Sequence, residues 1–136
     1  MSYLAPLFAL ILPAFVWPIE LVLPYPYIIE EIAKAALIYW VATSEETTTL
    51  KIKIVVAVGV LFAFSESVMY LFNIYMVGNI STLFQRLALT TSMHVITSLV
   101  IFIPGIKHKK LIVLGVLVAM IIHYFFNYYV QRVVLL

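Results

Sequence analysis

Apolar positions in this chain run in long blocks, and polar positions gather where the blocks break. Five blocks can be read, at about 4–23, 28–43, 52–77, 82–103 and 110–134. Most approach the ~20 residues an α-helix needs to cross a bilayer core. Turn-forming residues separate them: "PYP" at 24–26, "TSEETTT" at 43–49, "VGN" at 77–79 and "PGIKHKK" at 104–110. No linker and no internal repeat interrupts the pattern. It predicts one all-α domain over 1–136, a polytopic membrane helical bundle of about five transmembrane helices.

The first block contains Pro6, Pro13 and Pro18. Lipid cannot satisfy the backbone groups that proline frees, so this helix is expected to be kinked and packed against its neighbours. No basic residue precedes it, so it reads as a retained span rather than a cleaved signal peptide.

Composition agrees with a lipid solvent. The chain is 65% hydrophobic and 10% charged, with a mean hydropathy of +1.16. A soluble domain carries roughly 25% charged residues. The net charge of +2 is too small to point to nucleic acid. Cysteine is absent, which excludes disulfides, thiol nucleophiles and cysteine-based zinc sites. Aspartate is absent too, so every acidic side chain is a glutamate.

The lysines settle an expected orientation. Lys51, Lys53, Lys107, Lys109 and Lys110 fall in or beside the 2–3 and 4–5 connections, which share a side. The positive-inside rule then places the N-terminus in the cytoplasm of a multi-pass protein integral to the cell membrane. The Tyr- and Phe-rich stretches "PYPY" and "HYFFNYY" read as interfacial belts.

Against this apolar background a few polar side chains are costly, at about 2.5–3.5 kcal/mol each near the bilayer centre. They are Glu30, Glu31, Lys34, Glu66, His94 and His123, accompanied by Arg86 and Asn127. In "EEIAK", Lys34 stands at i+4 from Glu30 and i+3 from Glu31, both contact spacings on a helix. The two glutamates point about 100° apart, so only one can face a shared site squarely. Arg86, Thr90 and His94 share one helical stripe, as do His123, Asn127 and Gln131. Glu66, His94 and His123 each lie about 12 residues from the outer end of a block, roughly 18 Å deep at the α-helical rise. Glu30 and Glu31 enter from the same side. Four helices thus aim acids and imidazoles at one level.

Such a set suits peptide-bond hydrolysis. A desolvated glutamate can serve as general base, histidines can orient water or pass protons, and the Asn127 amide can donate to an oxyanion. Two histidines and one glutamate, here Glu66, His94 and His123, also make a sufficient Zn2+ site with water as fourth ligand. The residues alone do not choose between metal and metal-free water activation. Ser65 and Ser92 read as helix-packing residues.

The same residues resemble four motifs of the PrsW family of intramembrane proteases. "EEIAK" is similar to its EExxK (Glu30, Glu31, Lys34). "GVLFAFSESVMY" is similar to its FxxxE helix followed by tyrosine (Phe62, Glu66, Tyr70). "RLALTTSMHVITS" is similar to its arginine eight residues before a histidine (Arg86, His94). "HYFFN" is similar to its HxxxN (His123, Asn127). The motifs come in order, one per block, over about residues 28–130. The wider superfamily includes the CAAX prenyl endopeptidases and bacteriocin-immunity proteins. Lys34 and Glu66 stand where the CAAX pattern has a later arginine and a histidine, which favours the PrsW branch. Ser67 departs from the asparagine often found after the second-motif glutamate.

The resemblance implies an intramembrane endopeptidase with catalytic residues Glu30, Glu31, Lys34, Glu66, Arg86, His94, His123 and Asn127. It implies cleavage near the outer face of a single-span membrane substrate, such as an anti-sigma factor, or of a prenylated peptide. Two rival readings remain open. One is a non-catalytic scaffold or immunity protein of the same fold. The other, weaker, is a proton-coupled transporter, since acids and histidines within spans also build proton relays.

Overall fold

A computed structural model of the chain describes residues 1–77 and 80–133, apart from the side chains at 70, 72–77, 80, 82, 131 and 133. The turn expected at 78–79, the side chains of Tyr70 and Asn73, and that of Gln131 lie outside the described residues.

The chain forms α1 (Ala5–Glu20), α2 (Pro26–Thr43), α3 (Thr48–Val77), α4 (Ile80–Lys107) and α5 (Ile112–Val133). Short 3-10 turns, Ser2–Leu4 and Lys109–Leu111, precede α1 and α5. No strand occurs among the described residues. Four of the helices, α1, α3, α4 and α5, are long and apolar enough to cross a membrane. Their outward faces remain apolar, with Phe15, Phe64, Ile103 and Phe125 all more than half exposed. In water such a surface would drive aggregation; in lipid it is the ordinary boundary. The chain is an integral membrane protein.

The helix that fails the apolarity test is α2, because it carries Glu30, Glu31 and Lys34. Its position explains how it tolerates them. It packs against α1, α3, α4 and α5, so its charges face protein rather than lipid. Glu31, Lys34, Ile38 and Val41 recur at three- to four-residue spacing and are all fully buried.

Two glycines decide how closely the outer helices approach. A Cβ on Gly59 of α3 would lie 2.8 Å from the His94 carbonyl oxygen and from the Val95 Cα of α4. A Cβ on Gly115 of α5 would lie 2.5 Å from the Val100 carbonyl oxygen of α4. Helices touch backbone to backbone at both points, the small-residue packing that membrane helices use where hydrophobic exclusion is absent.

The second contact corrects an expectation from the sequence. The "PG" at 104–105 does not end the fourth helix, which continues through Pro104 to Lys107. Pro104 has no N–H to offer the carbonyl four residues back, which is that of Val100. This carbonyl instead faces the backbone of α5 at Gly115, so the helix passes the proline while shielded from lipid. The first helix likewise runs on through Pro13 and Pro18, and Pro13 is buried.

Candidate active site

The site grows from a stripe on α3. Gly59, Phe62 and Glu66 stand at i, i+3 and i+7, one face of the helix. Gly59 admits the α4 backbone at His94. Phe62, fully buried, lays its ring 5.0 Å from the His94 ring and 5.3 Å from Lys34 Nζ. Glu66 Oε2 then meets His94 Nε2 in a short hydrogen bond. Glu66 thus has a partner from another helix, although no cation is near it in sequence. Arg86, on the α4 stripe before His94, acts electrostatically on Glu66.

The α2 stripe supplies the counter-charges. Lys34 Nζ lies 2.8 Å from Glu31 Oε1, 2.8 Å from Thr97 Oγ1 and 2.9 Å from His94 Nδ1. An ammonium has three N–H donors and no acceptor, and here it meets three acceptors. Lys34 and Glu31 are both fully buried. Of the two spacings that could pair Lys34, the i, i+3 one carries the ion pair.

This arrangement sets the two histidines in opposite tautomers. Lys34 can only donate, so His94 Nδ1 accepts, and the ring proton sits on Nε2, which donates to Glu66. Glu31 Oε1, charged and held by Lys34, lies 2.8 Å from His123 Nδ1. It accepts the proton there, leaving His123 Nε2 as a lone pair. That Nε2 is 3.7 Å from Glu30 Oε2. The two rings stand edge to face, 5.3 Å between centroids.

Glu30 and Glu31 divide their work as their 100° separation demands. Glu31 holds Lys34 and His123 through Oε1, while its Oε2 is buried without a hydrogen-bond partner. Glu30 faces the site, and its Oε2 is buried without a hydrogen-bond partner. Buried polar atoms nearly always have a partner, and this orphan, beside the His123 Nε2 lone pair, points to a ligand or reactant position.

Two groups were missed at the level of sequence. Glu20, at the C-terminal end of α1, is an electrostatic neighbour of Glu30. Its signal was an acid inside the first apolar block. Thr97 takes the third Lys34 proton, and its signal was position i+3 from His94. Asn127 is half-buried one turn beyond His123, with no side-chain hydrogen bond among the described residues. The structure therefore brings Glu30, Glu31, Lys34, Glu66, His94 and His123 together, with Arg86 and Asn127 at the edge.

A metal set is present in composition, with one change of member. Glu30, His94 and His123 each place one ligand atom within 4.8 Å of the others. The carboxylate of that group is Glu30, where sequence depth had pointed to Glu66. Two imidazoles and a carboxylate suit Zn2+, and the orphaned Glu30 Oε2 supports the fit. Glu30 and His123 offer unengaged lone pairs. His94 is bonded at both nitrogens, and Nε2 becomes a ligand only when its proton passes to Glu66 and Nδ1 takes a proton from Lys34.

With this geometry in hand, comparison with known families assigns the class. Residues 19–136 match the family described as PrsW family intramembrane metalloprotease. The chain belongs to that family. No curated protein and no solved structure gives a significant match.

Proposed function

We propose that this chain is an intramembrane endopeptidase that hydrolyses a peptide bond of a single-span membrane protein, with its site opening to the extracytoplasmic side. The observation that carries this reading is the unpartnered Glu30 Oε2 beside His123 Nε2 and His94, on the one carboxylate of the cluster that is grouped with both histidines as a ligand set.

In the metal-free form Glu30 takes a proton from water as that water attacks the scissile carbonyl carbon. The tetrahedral oxyanion receives a hydrogen bond from the Asn127 amide, aided by the partial positive edge of the imidazoles. Glu30 then returns its proton to the leaving amine, and the C–N bond breaks. His94 and Glu66 hold a second proton next to the site, and Arg86 balances Glu66. Glu31 and Lys34 position the rings without touching the substrate. Zn2+ held by Glu30, His94 and His123 would supply an acidified water and a Lewis acid. In that form Glu66 would hold the proton given up by His94 Nε2.

The test is cleavage of a panel of single-span peptides in liposomes by the wild type, Glu30→Gln, His94→Ala and Asn127→Ala, each with and without a strong chelator. Loss in all three variants with indifference to chelator supports glutamate-activated water. Loss with chelator and recovery with zinc supports the loaded form. Cleavage that survives Glu30→Gln would sink both.

A further inference from the structure

At the opposite end of the bundle from Glu20 and Glu30, the end of α2, the start of α3 and the α4–α5 connection enclose a pocket of about 600 Å3. Lys51, Lys107, Lys109 and Lys110 line it together with His108, and no carboxylate does. The wall below these cations is apolar: Tyr39, Phe102 and Ile106. Lys51 is not free to wander, since its Nζ donates to the Ala42 carbonyl at 3.0 Å. That bond fixes a cation at the C-terminal end of α2 and offsets the negative end of its dipole. Thr48, also on the wall, opens α3, whose positive dipole end faces the same space.

We infer that this pocket binds the phosphate headgroup of an anionic phospholipid. The lysines meet the phosphodiester charge at the level where lipid-crossing helices leave the hydrocarbon. Tyr39 and Ile106, each about half exposed (50% and 48%), continue the wall toward the lipid-facing surface, where acyl chains lie. A soluble anion would use the lysines and leave that apolar wall unused; a phospholipid uses both. By the positive-inside rule this is the cytoplasmic leaflet, where anionic headgroups attract basic segments.

The purified full chain in detergent is titrated with phosphatidylglycerol, phosphatidylcholine or glycerol 3-phosphate, and bound molecules are counted by native mass spectrometry. Phosphatidylglycerol is retained in preference to phosphatidylcholine, and glycerol 3-phosphate does not displace it. Lys107→Gln and Lys110→Gln each weaken retention about fivefold. The corresponding Lys→Arg changes do not, nor does Lys53→Gln, an exposed lysine outside the pocket wall. Equal retention of phosphatidylcholine, indifference to the Lys→Gln changes, or displacement by glycerol 3-phosphate would overturn the inference. Should the Gln variants fail to fold, a photoreactive phosphatidylglycerol on the wild type decides it. Adducts at Tyr39, Phe102 or Ile106 support the pocket, and adducts confined to other helices refute it.

Discussion

Lys34 Nζ donates to His94 Nδ1 across 2.9 Å, joining the middle of α2 to the middle of α4 in a fully buried contact. The bond does more than neutralise a glutamate. It decides which nitrogen of His94 carries the proton, and so which side of the ring can donate toward Glu66. Glu31 makes the opposite decision for His123. The EExxK stretch thus acts as a tautomer selector for two histidines on other helices.

That selection is directly measurable. In protein labelled with 15N-histidine, His94 is expected as the Nε2–H tautomer and His123 as the Nδ1–H tautomer. Replacing Glu31 by Gln presents an amide that can donate as well as accept, and should mix or invert the His123 tautomer. Identical tautomers for both rings in the wild type would contradict the network.

Lys34 is the stability-determining member. Lys34→Met leaves Glu31 buried without its ion pair and should cost about 3–5 kcal/mol, read as a loss of thermal unfolding temperature in detergent. Lys34→Arg should not restore it fully, because a planar guanidinium does not fit three acceptors arranged around one nitrogen.

Glu30 should behave in the opposite way. Its Oε2 has no partner, and the Glu20 and Glu66 carboxyls lie near it. Glu30→Gln removes a like charge from a buried cluster, so thermal stability is expected to stay level or rise. Cleavage should fall about 10²–10⁴-fold, the usual contribution of a general base. A variant that loses both stability and cleavage would make Glu30 a structural residue.

Gly59 tests the link from packing to chemistry. Gly59→Leu drives a side chain into the His94 backbone and should cost about 1–3 kcal/mol through overpacking. Because Glu66 lies two turns further along the same α3 face, the Glu66–His94 bond should loosen too, lowering cleavage more than stability. Leu in place of Val60, an exposed neighbour, is the control and should change neither. An equal effect at both positions would remove the packing explanation.

Much of the protein is legible in one dimension. Apolar block length is set by the thickness of lipid, so the helical bundle and its approximate span edges follow from sequence. So does the set of expensive polar residues, because the penalty for placing a charge in hydrocarbon does not depend on the fold. Even the division between Glu30 and Glu31 was implied by the helical turn angle. Tertiary structure alone decided the rest. Periodicity carries no information on which helix faces which, so it did not pair Glu66 with His94, exchange Glu66 for Glu30 in the metal group, or bring Glu20 from α1 to the site. Nor did it show that Pro104 lies inside a helix, because what permits this is the Gly115 backbone of a neighbouring helix. Local sequence sets each helix and the cost of its polar groups. The partners that repay that cost come from other helices, and only packing reveals them.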